Sequence, residues 1–370
     1  MKKEMISGRQ MLCAIVMFIF GSSVIMGVSS EAGQDSWVSL LLAALVSIPV
    51  LLLYARIIKL FPEKNLFEIL EIVLGKIAGK IITILMVWYS LHLCALVLRN
   101  FSEFIQVVTM PETPQLPIMT AIILVVVYMA KSGIETMGKW SVITLFIVSS
   151  VVIITILFSL NKMDYSNVLP FMEHDFRKIA NGAFRLYAFP FAETVLFLCL
   201  ADSLKKTSSS YRLYLRALLF GTIVLLLVIL RNLFMLGSEM VGSSYFSSYV
   251  AVRIIDIADF FARIESSISM NFILAGIIKM TVCLMAAAKG IAALFGLKSH
   301  RRILLPVSLM VIALSSILYT NVMDMFDFLR FYAYYAIPFQ VIIPLTVWIA
   351  AELRRLKKIS AKAIELPVPE

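Results

Sequence analysis

The sequence predicts an all-α membrane protein of about ten transmembrane helices, in two halves of five, with both termini in the cytoplasm. Three observations carry this. Residues of the AVILMFWYC set make up 61% of the 370-residue chain and charged residues 15%, against about 45–50% and about 25% in soluble domains. The apolar residues gather into runs long enough to cross a bilayer, which takes about 20 residues of helix, and mean hydropathy is +0.94. The basic residues are sorted between alternate loops. Helix is the spanning structure these runs allow, because lipid offers no water to an open sheet edge.

The runs lie near 11–30, 37–60, 81–104, 117–131, 140–160, 182–202, 213–236, 269–295, 303–322 and 331–351, the fourth being the shortest. With the N-terminus inside, 22 Lys and Arg residues fall in cytoplasmic segments and nine in outer ones. That imbalance is the positive-inside pattern, and an even number of crossings returns the C-terminus to the same side. Met1-Lys2-Lys3 before an apolar run imitates a secretory signal. The run is long for one, however, and no clear A-x-A-like site follows, so it is expected to be an uncleaved first span. The expected organisation is one polytopic domain, 1–370, with five-helix repeats at 11–160 and 182–351 and a cytoplasmic tail at 352–370. The net charge of +10 then belongs to membrane topology, and no nucleic-acid partner is expected.

Between the spans the loops are short, and none could house a soluble catalytic domain. Residues 62–76 alternate apolar and charged at helical spacing and are expected to lie along the inner face. Residues 250–264, with Arg253, Asp256, Asp259 and Arg263 among apolar neighbours, are expected to form an interfacial helix on the outer face, a lid or docking surface. Cys13, Cys94, Cys199 and Cys283 lie in apolar runs without a C-x-x-C pair, so neither a metal site nor a disulfide framework is expected. No G-x-S-x-G, H-E-x-x-H or Walker loop occurs, and neither an enzyme nor a cofactor is read.

Function must therefore reside among the spans. Many secondary transporters bind at the midplane, on helices interrupted at corresponding places in two inverted halves. In a five-plus-five chain the pair to compare is spans one and six. Span one carries Gly21-Ser22-Ser23-Val24, and span six carries Phe189-Pro190-Phe191 followed by Glu193. Small residues also serve close helix packing, and a lone proline is often only a kink. Their matched positions instead suggest two broken helices. Free N–H groups at one broken end would suit a carboxylate, and free carbonyls at the other an ammonium group.

Two charges fall at mid-membrane depth, Glu193 in span six and Lys279 in span eight. A buried ion is costly unless paired or hydrated. The pair is expected either to form a structural bridge or to face a watery cavity and couple to ligand. Lys289, Arg185 and Arg231 are expected to snorkel, and His92 to be a hydrogen-bonded packing residue.

Several stretches are also familiar. Glu31-Ala32-Gly33-Gln34-Asp35-Ser36-Trp37 resembles the "EAKQDAW" stretch of spore germination receptor B subunits. Further matches are Phe61-Pro62-Glu63-Lys64-Asn65-Leu66, Leu98-Arg99-Asn100-Phe101-Ser102-Glu103-Phe104, Pro111-Glu112-Thr113-Pro114, Phe189-Pro190-Phe191 and Leu294-Phe295-Gly296-Leu297-Lys298. The resemblance implies the fold of amino acid–polyamine–organocation (LeuT/APC-like) transporters, with an inverted five-plus-five repeat. It implies an integral protein of the inner spore membrane that works with an A subunit and a lipoprotein C subunit, among membrane lipid, to sense a small-molecule germinant. The ligand site is then expected at Gly21, Ser22, Ser23, Val24, Phe189, Pro190 and Phe191, with Tyr89, His92 and Thr281 on flanking spans and Glu193 and Lys279 coupling. In the broader family a Gly-Ser/Ala-Gly stretch cradles a carboxylate, whereas here the second glycine is Ser23. Some proton-coupled relatives carry a lysine in mid span five, whereas Lys139 lies at the inner end of that run. A proton- or cation-coupled amino acid permease is the alternative function, and independence from partner subunits would distinguish it.

Overall fold

The computed structural model describes residues 4–23, 30–173, 175–254 and 265–364. Among these residues the structure is helical, and its extended pairing is a single parallel bridge between Ile6 and Leu204. Among the described residues nine helices are long and apolar enough to cross a membrane, and a further apolar helix, Gly8–Gly21, is shorter. The all-helical membrane architecture read from the apolar runs is therefore present.

In chain order the helices are α1 (Gly8–Ser23), α2 (Ser36–Leu60), α3 (Leu66–Leu74), α4 (Lys76–Val108), α5 (Gln115–Ser132) and α6 (Ile134–Ser159). They continue as α7 (Phe176–Leu186), α8 (Ser210–Ser243), α9 (Ser247–Arg253), α10 (Glu265–Phe295), α11 (Leu304–Leu318), α12 (Val322–Ile337) and α13 (Ile343–Ile364). The sixth span is composite: α7 runs into a π turn, Tyr187–Phe191, and then a 3₁₀ segment, Ala192–Ser203. The tenth is also composite, with a π turn at Pro338–Ile342 between α12 and α13. The tail expected from 352 begins as helix, since α13 continues through Ile364.

Burial sorts the spans by role. The sixth span is buried along almost its whole length, and most of the middle of α4 and α10 is buried too. By contrast α6 and α11 present large apolar side chains outward, with Phe146 75% and Ile317 78% exposed. In water such faces would be a liability. On a membrane protein they are the surface the hydrocarbon wets.

Segments assigned to one side by charge also meet at one end of the bundle. Ile6 N donates to Ser203 O (2.8 Å), and Lys205 N donates to Ile6 O (3.1 Å). Met5 N donates to Glu135 Oε1 (3.1 Å), Ile134 N donates to Glu4 Oε2 (3.1 Å), and Glu4 pairs with Arg301. The segment before α1 thus joins the starts of α6 and α11 to the end of the sixth span. The intervening segments meet one another in turn: Asp164 N donates to Phe234 O (2.9 Å) and Lys162 Nζ to Ile254 O (2.9 Å).

Several local expectations are corrected. The helix in 62–76 exists as α3, opened by a reciprocal capping box between Asn65 and Glu68. Its apolar face packs on the bundle: Leu66, Phe67, Ile69, Leu70 and Val73 are buried, and the helix lies against α4 and α13. Of the outer stretch 250–264, α9 covers residues up to Arg253, and residues 255–264 lie outside the described residues.

Arg231 does not snorkel. It is 1% exposed, with Nη2 donating to Asn232 Oδ1 (2.7 Å) and Nη1 to Thr155 Oγ1 (3.1 Å). Asn232 Nδ2 in turn donates to Ser248 Oγ (2.9 Å), so the guanidinium knits α6, α8 and α9. Arg185 is half-buried. Lys289 also stays in, paired with Asp202 at 2.6 Å. A nearby partner is cheaper than stretching to the headgroups when the side chain starts within the bundle. The four cysteines are buried free thiols, as their apolar surroundings suggested.

Candidate functional site

The sixth span breaks where Pro190 requires it. Proline has no N–H, and its ring clashes with the preceding turn of a helix. Phe189 accordingly takes extended angles (φ −135°, ψ 108°), and Ala192 N donates five residues back to Tyr187 O. In a regular helix Ala192 N would serve Ala188 O. That carbonyl, left over, accepts from Gln340 Nε2 (2.8 Å).

The tenth span repeats the arrangement. Pro344 cannot donate to Gln340 O four residues earlier, so Tyr54 Oη donates to that carbonyl instead (2.5 Å). Ile343 N donates to Pro338 O, closing the π turn. A buried backbone group without a partner is costly, and side chains from neighbouring spans meet this need at both breaks.

A directional chain of hydrogen bonds grows from Gln340. Its Nε2 also donates to Tyr89 Oη (2.9 Å), Tyr89 Oη lies 3.1 Å from Tyr332 Oη, and Tyr332 Oη donates to Glu193 Oε1 (2.5 Å). Because the Tyr332 proton goes to the carboxylate, Tyr89 donates to Tyr332. From the other side Lys279 Nζ donates to Glu193 Oε2 at 2.6 Å. Both charged side chains are fully buried, with 0% exposure. The ammonium also lies over the rings of Phe189 (4.5 Å to the centroid) and Phe18 (5.1 Å), where the aromatic faces favour a cation. The two intramembrane charges therefore meet directly. Beside them is a cavity of about 10 Å³, room for about one water. Leu93, Leu96, Val97 and Asn100 of α4 line it, together with Phe189, Glu193, Tyr319, Leu329 and Tyr332.

The other sequence candidates divide. Phe189, Pro190 and Phe191 are buried and form the break. Tyr89 is in the network. Gly21, Ser22 and Ser23 are not unwound: α1 continues through Ser23, and Val24 lies outside the described residues. What Gly21 supplies is room, since a Cβ there would stand 2.5 Å from Lys279 Cδ. The close-packing reading of that stretch holds at this residue, because the lysine stem crosses α1 where the side chain is missing. Gly21→Leu is expected to push Lys279 off Glu193 and abolish the ligand response, and an unchanged dose response would remove α1 from the site.

Thr281 spends its hydroxyl on Ile277 O of its own helix (2.7 Å). His92 is a packing residue, but not a hydrogen-bonded one at Nδ1, which is buried without a partner among the described residues. It stacks on Trp88 (5.4 Å) and meets Tyr335 edge-on (5.1 Å).

Sequence reasoning missed Tyr332, Gln340 and Tyr54. Gln340 did leave a signal: a lone amide between Pro338 and Pro344 in an apolar run marks a second broken helix as Pro190 marked the first. Tyr332→Phe removes a hydrogen bond to a buried charge and is expected to cost about 1.5–3 kcal/mol. Thermal unfolding in detergent reads this, and a loss no larger than a lipid-facing Tyr128→Phe control would detach Tyr332 from the site.

The family model described as "Spore germination protein" matches residues 5–325. Spore germination protein KB of Bacillus subtilis (strain 168) is 24% identical over 371 residues, covering 99% of both chains. The putative spore germination protein YfkT of the same organism is 24% identical, covering 90% of this chain and 91% of its own. Spore germination protein GerQB of Bacillus cereus is 23% identical, covering 78% and 79% respectively. Among solved structures, MhsT in complex with L-phenylalanine superposes with a TM-score of 0.70 at 12% identity, over 94% of this chain and 89% of that one. Mhp1, a nucleobase-cation-symport-1 family transporter, gives 0.62 at 10% identity, over 100% and 95%. The fold is therefore that of these transporters.

Proposed function

The chain belongs to the Spore germination protein family, and from that premise we propose that it is the germinant-sensing membrane subunit of a spore nutrient receptor. Its ligand is a small nutrient, an amino acid, held in a transporter-like pocket. The observation that carries the reading is the break at Phe189–Pro190 beside the buried Glu193–Lys279 pair and its hydrogen-bond network. Transporters of broken-helix design place their substrates at such breaks. The family is one of permease-like membrane proteins rather than an enzyme class.

In this reading the chain sits in the inner membrane of the spore with both termini cytoplasmic. It forms one polytopic domain whose halves, 11–160 and 182–351, are inverted repeats, followed by the tail from 352. It acts with an A subunit and a lipoprotein C subunit. Deleting the chain from spores is expected to abolish germination by one or more amino acids, with the response restored by the wild-type gene. The alternative is an amino acid permease, favoured by the same transporter fold. Purified protein in liposomes separates the two: concentrative uptake without partner subunits would establish the permease, and its absence together with the germination defect supports the receptor.

A further inference from the structure

We propose that the groove between α2 and the tenth span is a binding site for an anionic phospholipid, with one acyl chain in the groove and the phosphate at the basic cluster that closes its end. The groove shares no lining residue with the cavity beside Glu193, and the proposal does not depend on which nutrient the chain senses.

The groove lies where two proline-marked stretches meet, Pro49 within α2 and the π turn Pro338–Ile342. Val50, Leu52 and Leu53 line it from α2, and Val341, Leu345 and Trp348 from the tenth span. Its volume is about 650 Å³, within the about 300–1,000 Å³ usual for small-molecule sites. Pro49 and Leu345 are exposed, so the groove opens toward the hydrocarbon. The lining runs from Pro49 to Arg56 on α2 and from Val341 to Glu352 on the tenth span. At 1.5 Å per residue these stretches are about 10 and about 16 Å long. One leaflet's share of the hydrocarbon core is about 15 Å. The groove is therefore apolar over the depth of a leaflet and charged where the headgroups begin.

The charged end holds a surplus of cations. Arg56 Nε donates to Glu352 Oε1 (2.7 Å), and Arg355 Nη1 lies 3.7 Å from Glu352 Oε2. Lys59 Nζ stands 5.5 Å from the centroid of the Tyr211 ring, and Tyr211 lines the groove. Three cations thus gather about one carboxylate, and Glu63 nearby is met by Lys206 at 2.9 Å. The loop charges assign this end to the cytoplasm, and basic pockets between spans on that side suit anionic headgroups. A soluble anion would answer the cations and leave the apolar groove empty. A lipid without net charge would do the reverse. A partner's helix, about 10 Å across, would use up 650 Å³ in about 8 Å of its length, too short a seat for a span.

The groove also backs onto the second helix break. Leu53 precedes Tyr54, whose hydroxyl serves the Gln340 carbonyl, and Val341 follows Gln340. An acyl chain seated there packs against the outer side of the turn that presents Gln340 to Tyr89.

The test reads the fluorescence of Trp348 in a Trp37→Phe/Trp88→Phe/Trp140→Phe protein, reconstituted in phosphatidylcholine vesicles. A brominated acyl chain quenches an indole that it touches. Brominated phosphatidylglycerol is expected to quench half-maximally at an at least about threefold lower mole fraction than brominated phosphatidylcholine. Arg56→Gln/Lys59→Gln is expected to erase that difference. Equal mole fractions for the two lipids, or a preference that survives the double change, would overturn the proposal. Should the single-tryptophan protein fail to accumulate, lipid retained by the wild-type chain from vesicles of the two lipids in equal parts decides, measured by native mass spectrometry. Phosphatidylglycerol is expected to be retained over phosphatidylcholine and to be lost from Leu345→Trp, which fills the groove, and unchanged retention by that variant would overturn the site. A cross-link from Leu345→Cys to another subunit in spore membranes would also overturn it, by giving the groove to a protein.

Discussion

Lys279→Met is expected to cost about 3–5 kcal/mol of stability, because it strands a buried carboxylate beside apolar rings. Glu193→Gln should do comparable damage from the other side, since the ammonium would keep only a neutral amide and two ring faces. Removing both charges should hurt less than the sum of the single changes, because neither product contains an uncompensated ion. Unfolding temperatures of the purified proteins and their levels in membranes measure this cycle. Simple additivity would mean that the two residues do not depend on each other, despite the 2.6 Å contact. If the double variant recovers its level but not its response to ligand, the pair serves recognition or signalling as well as structure. Full recovery of both would reduce it to a brace.

The second large effect concerns the contact between α4 and α10. A Cβ on Gly276 would lie 2.0 Å from Phe101 Cζ, and the Phe101 ring stacks on Phe272 with centroids 3.7 Å apart. Both rings are buried, so the displaced atoms have nowhere to go. Gly276→Ala is expected to cost about 1–3 kcal/mol by overpacking, and a larger side chain more. Phe101→Leu should relieve part of that cost when combined with Gly276→Ala. Failure of this suppressor would show that the strain is released elsewhere than at the ring.

The fold was largely legible because a bilayer imposes a coarse rule, namely that a long apolar run must cross. Pro190 was legible for an equally firm reason, a missing donor. Glu193 and Lys279 stood out because an ionised group is rare in such surroundings. The rest of the site depended on relations that one run of residues does not contain. Gly21-Ser22-Ser23 satisfies both an unwound backbone and a close approach, and only the position of the Lys279 stem separates the two at Gly21. Tyr332 sits in a span with two other tyrosines, Tyr334 and Tyr335, and nothing in its immediate neighbours marks it as the one that reaches a carboxylate. Arg231 was misread because basic residues near span ends usually reach for water. The hydroxyl and amide partners that hold it come from Thr155 and its own neighbour Asn232, a combination that spacing does not announce. His92 looked like a hydrogen-bonding residue by type, yet its ring faces are occupied by aromatic neighbours.

The short stretch ahead of α1 has a practical side. Glu4, Met5 and Ile6 are bonded to three separate parts of the helix bundle, so a purification handle or fluorescent reporter fused directly in front of them would crowd a junction rather than trail from a loose end. Met110, Pro111 and Glu112, between α4 and α5, are exposed, and exposed loop tips are where insertions are best tolerated. An epitope placed there leaves the junction untouched, and a protein carrying it offers a cleaner starting point for purification than one extended at its front.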